Sequence, residues 1–392
     1  MVELEASIRV NRGLRAGTTP ARLSTYVRRP QVITERTSVG LDVHAASIVA
    51  AAIDEHTGEI RERRFGGETG PVLDWVASLP GPAQVVYEAG PTGFGLARAF
   101  RAAGIRCAVA APSKLQRPTG DRVKTDQRDA LHLARLLRLG EIVEVVVPSE
   151  DAEAARDLVR AREDARFDLM SARQRLSKLL LRQGVQYREG KTWTVAHTLW
   201  LRRQKFDRPA LQTAYEAAFD AMTVVLDRRD RLDAAIADLA ADSEFTPVVN
   251  RLGCLRGIST LTGMALAVEI GDWTRLDGRR IGSYLGLTPS ECSSGRSRSL
   301  GGITKTGNGH ARRLLVEAAW HHRPAYRVSS PALRARWERA SGEARARGHA
   351  GNQRLHQRWL TFNDRRKQFS VANAAIAREL AGWCWSLAVM DE

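Results

Sequence analysis

VGLDVH, residues 39–44, is a short segment of strand-forming residues that carries an aspartate, Asp42, near its end. VVYEAG, residues 85–90, repeats the pattern with Glu88 just before small turn residues. A charged side chain in an apolar strand needs a partner or a metal ion, because an unpaired buried charge is costly. The two segments therefore predict a β-sheet that carries carboxylates at or near the ends of two strands.

KTDQRDA, residues 124–130, adds Asp126 and Asp129 at the start of an amphipathic segment. Residues three apart share one face of a helix, and these two lie at its positive N-terminal end. Mg²⁺ takes oxygen ligands, and two such ions about 4 Å apart stabilise the attacking and leaving oxygens of a phosphoryl displacement. Any one of the 44 acidic residues is more often an ordinary surface acid, but the four together predict a metal site for cutting nucleic acid.

The composition indicates a polyanionic partner. The chain has 392 residues, enough for two or three domains, and 60 Lys and Arg against 44 acids give a net charge of +16. Arginine suits bidentate phosphate contacts, although a GC-rich genome also favours it. The four cysteines are scattered, so neither a structural zinc nor a disulfide framework is indicated, and a reducing cytoplasm is expected. With no signal peptide and no apolar run near ~20 residues, no membrane association is expected.

The pattern from Val39 onward is α/β. Three hairpin-linked strands are followed by alternating helices and strands, which is the ribonuclease-H-like order. The predicted strands cover residues 39–44, 47–53, 59–65, 84–88 and 106–110, and the predicted helices lie near residues 69–78 and 92–103. The helix that carries Asp126 and Asp129 closes this domain near Val147.

Four segments are predicted in all, and the fold class is α/β plus α. Residues 1–36 form a basic flexible arm, residues 37–148 a metal-binding domain, residues 149–246 a helical domain, and residues 247–392 a mostly helical C-terminal domain. Apolar residues seven apart in 151–182 and 209–243 predict an antiparallel coiled coil. The C-terminal domain opens with a segment like a helix-hairpin-helix around Gly257 and Gly263, followed by a serine-rich basic loop.

Three basic segments leave alternatives open. The arm is either dispensable or a nucleic-acid contact. The arginine run on the first long helix is a solvated face, a track for phosphates or a subunit contact. Residues 323–367 interleave basic residues with Trp337, Trp359 and Phe362, a combination that suits single-stranded or RNA-like ligands. Trp193 and Trp200 in the inter-helix loop are expected to pack rather than stack on bases.

Several motifs, in order, resemble the DEDD transposases of the IS one-ten type, a family that is related to the Piv DNA invertases and includes bridge-RNA-guided recombinases. The resemblance covers about residues 38–325. It rests on VGLDVH, YEAGPTGFGLARAF, APSKLQRPTGDRVKTDQRDA, the GIST-to-EIGD stretch, YLGLTPSE with SSG, and GGITKTGNGHARRLLVEAAW. One departure is Ala45, where family members often have a lysine after the DVH stretch.

The resemblance implies a RuvC-like domain whose Asp42, Glu88, Asp126 and Asp129 bind Mg²⁺. It also implies a C-terminal transposase domain with a serine nucleophile, which the SSG motif places at Ser294, with Ser293 as the fallback. The expected partners are donor DNA, target DNA and a structured noncoding bridge RNA. In the family, the metal and serine parts of one site come from different subunits, so a homo-oligomer is expected, a dimer assembling to a tetramer. The expected location is the nucleoid of a bacterial cell.

Further residues are expected to contact nucleic acid. Lys305 and Arg312 match family positions near the serine and are interpreted as phosphate contacts, and Asn308 as a loop or helix-capping residue. Lys124 and Arg128 flank Asp126 and are predicted to bind nucleic acid as well.

Three alternatives compete with a serine recombinase. The first is a metal-dependent nuclease or junction resolvase that uses the four carboxylates and activated water alone. The second is a nucleic-acid-binding protein on a ribonuclease-H scaffold without catalysis. The third is an actin-like sugar kinase, but LDVHAAS lacks the phosphate loop that such a kinase needs.

Overall fold

The computed structural model describes residues 36–116, 125–292, 294, 299–327 and 331–390. Almost all of the expected basic arm lies outside these residues. The chain divides into two compact units, Met1–Val147 and Pro148–Glu392. The further boundary expected near residue 246 stays a prediction. Within the described part of the chain, none of the helices has the length and apolar character that crossing a membrane requires.

The first unit is built on a five-stranded mixed sheet of order β3-β2-β1-β4-β5. The first three strands are antiparallel neighbours, whereas β1, β4 and β5 are parallel. This arrangement confirms the predicted α/β class and is consistent with a ribonuclease-H-like domain. The strands are β1 (Thr37–Val43), β2 (Ser47–Asp54), β3 (Ile60–Gly66), β4 (Ala83–Glu88) and β5 (Arg106–Ala110).

Helices cover both faces of the sheet. Helices α1 (Thr69–Ala77) and α2 (Gly95–Ala102) pack against alternate strand residues such as Val39 and Leu41. Helix α3 (Asp126–Arg138) packs on the opposite face, with Leu133, Leu136 and Leu137 against Val86 and Ala108. Strands β1, β2, β4 and β5 are therefore buried on both sides, which explains their nearly continuous apolar sequences, whereas in β3 only Phe65 is buried.

Gly40 allows α3 to approach β1 closely. A Cβ at this position would lie 2.0 Å from the carbonyl oxygen of Ala130 and 2.5 Å from the amide nitrogen of Ala134. Any side chain would therefore force the helix away from the strand. The separation of β1 and α3 thus depends on this glycine.

Two 33-residue helices, α4 (Glu150–Arg182) and α6 (Pro209–Ala241), open the second unit, with the short α5 (Val195–Arg202) between them. Arg162 pairs with Asp233 at 2.6 Å, and Asp168 pairs with Arg228, so the two long helices run in opposite directions. Their apolar contacts include Leu169, Leu176 and Met222. Coiled-coil packing of these helices stays a prediction.

Most of the arginines in the run on α4 contact other residues of the second unit. Arg156 donates to the carbonyl of Val268, and Arg160 and Arg166 pair with Glu269 and Glu163. Arg173 lies 4.9 Å from the ring centre of Trp193. Arg160 is exposed despite its ion pair, as are Arg175, Lys178 and Arg182. A role of these exposed residues in binding phosphates or a second subunit stays a prediction.

The rest of the second unit is mostly helical around α8. All residues from Gly263 to Ile270 in α8 are buried, which explains the uniformly apolar GMALAVEI. The remaining elements are α7 (Thr246–Leu252), α8 (Thr260–Ile270), α9 (Arg280–Tyr284), β6 (Pro289–Glu291), β7 (Leu300–Ile303), α10 (Gly309–Ala319), α11 (Pro331–Trp337), α12 (Gly342–Asp364) and α13 (Phe369–Ala388).

Two aromatics expected to suit base stacking belong to the core instead. Trp359 is 3% exposed, and its indole N–H donates to the carbonyl of Ala319. Trp337 is half-buried and donates to the carbonyl of Cys254. The prediction that these two rings suit base stacking was wrong, because both indoles pack and donate hydrogen bonds within the second unit. Trp193 and Trp200 pack around His197, as expected.

Candidate functional site

Asp42 and Glu88 come to the same end of the sheet. Side chains alternate along a strand, so Asp42 lies on the face of Gly40, which is the face that α3 covers. Leu41 is in register with Tyr87 in the parallel pair of β1 and β4, so Asp42 and Glu88 are next to each other in the order of the strands. Both side chains are half-buried.

The start of α3 delivers two more carboxylates to this face. Thr125 caps the helix by accepting a hydrogen bond from the Arg128 amide, and Asp126 and Asp129 occupy the first turn. Because Gly40 lets α3 lie directly on β1, the first turn reaches the end of that strand. Asp42, Asp126 and His44 thus offer ligand atoms that all lie within 4.8 Å of one another.

His44 links the two aspartates. Its Nε2 lies 3.2 Å from Oδ2 of Asp42 and 3.7 Å from Oδ1 of Asp126. Arg64 adds a more distant contact, 4.0 Å from Oδ2 of Asp126. Asp126 and His44 stay about half exposed, with 45% and 54% of their side chains open to solvent, so a substrate can reach them.

The electrostatics of the cluster favour a cation. Burial raises the pKa of Asp42, His44 opposes the rise, and the charges of Asp126 and Asp129 add to it. Asp129 is thus near enough to act on Asp42. Carboxylate oxygens gathered around a partly buried aspartate are the donor set that a hard divalent ion takes. The residues therefore fit a divalent metal, with Glu88 beside the cluster.

The sequence analysis did not predict that His44 contacts the aspartates or that Gly40 lies against α3. A signal for His44 was available, because residues two apart on a strand share a face and DVH places an imidazole beside the aspartate. Nothing in the sequence alone indicates that Gly40 faces a helix rather than a turn.

The predicted serine lies in a loop between β6 and β7. These strands form a two-stranded hairpin in which Pro289 pairs with Ile303 and Glu291 with Leu300. Ser294 is exposed in the loop. The fallback Ser293 and the predicted nucleic-acid residue Lys124 both lie outside the described residues. The hairpin borders a cavity of about 1150 Å³ whose lining includes Arg279, Arg378 and Trp383.

The TKTGNG segment after β7 is held by close backbone contact. Gly307 has φ of +70°, and a Cβ there would lie 1.9 Å from the carbonyl oxygen of Tyr284. Arg312 secures the same segment, because its Nη1 donates to the carbonyls of Leu285 and Thr306 at 3.1 and 2.8 Å. Lys305 is exposed with φ of 56°, so its ammonium is open to a ligand.

Asn308 caps α10, as predicted. Its Oδ1 accepts from the Ala311 amide at 2.9 Å, while its Nδ2 donates to Oε2 of Glu269 at 2.7 Å. The side chain therefore already has partners within the protein. Arg128, the remaining predicted nucleic-acid residue, is exposed at the start of α3.

A buried charge network behind α10 was also missed. The side chain of Glu269 is 1% exposed and accepts from Arg160 through both of its oxygens and from His310. Burial alone would raise its pKa, but hydrogen bonds from His310, Arg160 and Asn308 outweigh that effect and lower the pKa to about 2. The single acid in the apolar stretch GMALAVEI, residues 263–270, was the available signal.

Comparisons with known proteins identify the family. One family model, described as a transposase of the DEDD IS110 type, matches residues 39–183, and the model of the Transposase IS116/IS110/IS902 family matches residues 249–338. The putative transposase y4qE of Sinorhizobium fredii is 41% identical over 89% of this chain and 88% of its own length. The chain belongs to the IS110-type DEDD transposases.

A second relative extends this agreement over nearly its whole length. The transposase for insertion sequence element IS1533 of Leptospira borgpetersenii is 31% identical over 84% of this chain and 97% of its own length. The sheet with its carboxylates and the serine hairpin thus belong to a DNA transposase.

Proposed function

We propose that this transposase belongs to an insertion sequence and that it cleaves and exchanges DNA strands with Mg²⁺ and a serine nucleophile. The observation that carries the proposal is the convergence of Asp42, His44 and Asp126 within 4.8 Å at the end of the sheet. Sequence-distant carboxylates gathered at an exposed edge of a DNA transposase are best explained by a catalytic metal.

Asp42, Glu88, Asp126 and Asp129 would hold the metal. A bound Mg²⁺ would neutralise the negative charge that develops on a phosphodiester while its bonds are exchanged. His44 orients the carboxylates of Asp42 and Asp126 through contacts of 3.2 and 3.7 Å. Arg128, exposed on α3, and Lys124 would hold the DNA backbone next to these acids.

Ser294 would supply the nucleophile. Its hydroxyl oxygen forms a bond to the phosphorus of a DNA phosphodiester, and the bond from phosphorus to the 3′ oxygen breaks. The serine gives up its proton and the 3′ oxygen takes one, which leaves a phosphoserine on the 5′ side and a free 3′ hydroxyl. A 3′ hydroxyl of the partner DNA then attacks the phosphoserine, which restores the phosphodiester and the serine hydroxyl.

The loop before α10 would bind the phosphates next to the break. Lys305 is exposed on a backbone that Gly307 and Arg312 hold rigidly, so its ammonium can act as a point charge on a phosphate. Arg312 has donors left beyond Nη1, and Asn308 would act through the helix N-terminus that it caps.

The proposed partners follow from the family. Donor and target DNA would be selected by a structured noncoding RNA, and the serine and the carboxylates of one site would come from different subunits of a dimer or tetramer. The exposed part of α4, including Arg175 and Arg182, offers a surface for that RNA or for a subunit contact. Binding to DNA would place the protein on the bacterial nucleoid.

The second candidate is a metal-dependent nuclease or junction resolvase that uses the four carboxylates alone. It is favoured by the fact that the acidic cluster is assembled within the first unit, without any part of the serine loop. The two functions differ in one intermediate, because only the serine mechanism links the protein covalently to DNA.

The test begins with the nucleic acid that copurifies with the protein, which is sequenced without prior assumptions. Mg²⁺-dependent strand exchange is then compared for wild type, Ser294→Ala and the matched control Ser299→Ala, an exposed serine of the same loop. We expect one structured RNA, a covalent adduct with wild type and Ser299→Ala, and none with Ser294→Ala. Cleavage that persists in Ser294→Ala and in Ser293→Ala without an adduct would establish the nuclease instead.

Metal binding is measured separately by calorimetric titration with Mg²⁺ or Mn²⁺. Asp42→Asn is expected to abolish the binding isotherm, whereas Asp74→Asn, an exposed aspartate on α1, leaves it intact. Equal titrations for the two variants would remove the metal from the proposal.

A further inference from the structure

A second basic feature of the C-terminal region lies outside both the carboxylate site and the serine loop. A cavity of about 370 Å³ is lined by Arg256, His321, Arg327 and Arg336, together with small and apolar residues. The lining contains no acidic residue. Among the residues that the structure describes, these three arginines make no ion pair with any carboxylate.

Two of these arginines are held in place by backbone carbonyls. Nη1 of Arg256 donates to the carbonyls of Pro324 and Ala325, and its guanidinium lies 5.7 Å from the ring centre of Tyr326. Nε of Arg336 donates to the carbonyl of Gly253 at 3.0 Å. These bonds use one nitrogen of each guanidinium, so within the described structure Nε and Nη2 of Arg256 and both Nη atoms of Arg336 retain donors for a ligand.

The local field in this region is positive and uncompensated. Burial lowers the pKa of both Arg256 and Arg336. Next to them, burial and the charge of Arg256 lower the pKa of His322 to about 3, so that ring stays neutral. Two partly dehydrated guanidinium groups that lack a carboxylate partner attract an anion, because the anion would balance their charge.

We propose that this cavity binds a phosphate of a nucleic-acid backbone through Arg256, Arg327 and Arg336. The forked guanidinium donors match the oxygens of a phosphodiester, and the net charge of +16 favours a polyanion over a small acid. The glycine turn next to Arg256 is not itself the phosphate contact, because a Cβ at Gly257 would lie 2.5 Å from the Ala318 carbonyl oxygen. Close packing there fixes Arg256 at the cavity.

This inference rests on the proposed function, because it requires that the chain binds nucleic acid. It adds a phosphate site that is separate from Lys305 and Arg312 and that needs neither metal nor serine. Binding assays in EDTA therefore test it without any dependence on cleavage.

The experiment measures affinity for two fluorescent probes, a mixed-sequence DNA duplex and bulk transfer RNA, over a range of salt concentrations. Arg336→Gln and Arg327→Gln are compared with Arg334→Gln, an exposed arginine on the same helix as Arg336 that does not line the cavity. Each cavity variant is expected to weaken binding roughly tenfold and to reduce the salt slope by about 0.9, as expected for one lost phosphate contact. Arg334→Gln should change affinity less than about twofold.

A lower affinity of the cavity variants for the duplex, for the RNA or for both would support the proposal and would show which backbone the cavity binds. The proposal would be overturned if the cavity variants bound the probes as tightly as Arg334→Gln does. It would also be overturned if inorganic phosphate bound to wild type without reducing its affinity for either probe. Arg327 has no described hydrogen bond or ion pair, so Arg327→Gln separates lost binding from lost folding. If wild type binds neither probe, the proposed function fails as well.

Discussion

Gly40 controls the spacing between the strand that carries Asp42 and the helix that carries Asp126. A Cβ there would meet backbone atoms of α3 at 2.0 and 2.5 Å, and backbone cannot move aside as a flexible side chain can. The cluster of Asp42, His44 and Asp126 therefore depends on a residue that contributes no charged or polar side chain to it. Its effect is transmitted through the position of a helix.

Gly40→Ala is expected to lower the free energy of unfolding by about 1–3 kcal/mol, as overpacking does, and to weaken divalent-metal binding by displacing the first turn of α3. Urea denaturation and calorimetric titration measure the two effects. Gly66→Ala is the matched control, because a Cβ at Gly66 in β3 meets no atom within 4 Å. If Gly40→Ala bound the metal as tightly as Gly66→Ala, the position of the first turn of α3 would not depend on Gly40.

The role of His44, like that of Gly40, follows from the residues that it contacts. It contacts the carboxylates of Asp42 and Asp126, so in the proposed metal site it orients both of them. His44→Ala is expected to lower metal affinity by roughly 10- to 100-fold, the range measured when orienting partners of metal ligands are removed. The control is His56→Ala, in the exposed turn after β2. An unchanged titration in His44→Ala would leave the histidine without a function in the site.

Helices α4, α8 and α10 meet at buried carboxylates. Glu269 on α8 binds Arg160 of α4 and both Asn308 and His310 at the start of α10. Glu163 of α4 completes the junction by pairing with Arg313. The charged groups thus hold the start of α10, and with it the segment that carries Lys305, against the long helix.

Glu269 makes this junction sensitive to acid. Its pKa in the folded protein, about 2, lies below the ordinary value of 4.5, so its contribution to stability is complete above pH 4.5 and is lost as the pH falls towards 2. Glu269→Gln is expected to lower the free energy of unfolding by about 1–3 kcal/mol near neutral pH, because it removes the buried carboxylate that accepts hydrogen bonds from Arg160, Asn308 and His310. The difference from wild type should narrow below pH 4.5.

Urea unfolding at a series of pH values measures that difference. Glu317→Gln serves as the control, because Glu317 pairs with Arg313 on the surface of α10, where an ion pair contributes about 0–1 kcal/mol. A gap between wild type and Glu269→Gln that stays constant down to pH 3 would contradict the acid dependence.

The charge of +16 acts over the whole molecule. Binding to nucleic acid releases counterions, so affinity for an unrelated DNA duplex should fall linearly with salt on a double-logarithmic plot. A contact with about six phosphates would reduce the affinity roughly 10³-fold between about 50 and 200 mM salt. Fluorescence anisotropy measures it, with a neutral-backbone oligonucleotide of the same sequence as the control. A change below about tenfold would argue against extensive phosphate contact.

Much of the fold and part of the candidate site follow from the amino-acid sequence by itself. The five strands of the first unit lie within about two residues of their predicted bounds, because apolar alternation and turn residues are local signals, whereas the short β6 and β7 were not predicted. The family motifs are local too, and their order along the chain identifies the transposase. The capping by Asn308 follows in the same way from its place before an amphipathic helix.

The other features depend on which segments meet in space. The partners of the α4 arginines and the buried positions of Trp337 and Trp359 could not be predicted, because the contacting residues lie far away in sequence, as with Arg160 and Glu269. The close approach at Gly40 exists only because α3 packs on β1, and His44 contacts Asp126 only because the same packing brings the start of α3 to the end of β1. Pattern reveals which face of an element is apolar, whereas close packing and burial of charge decide which residues on that face act together.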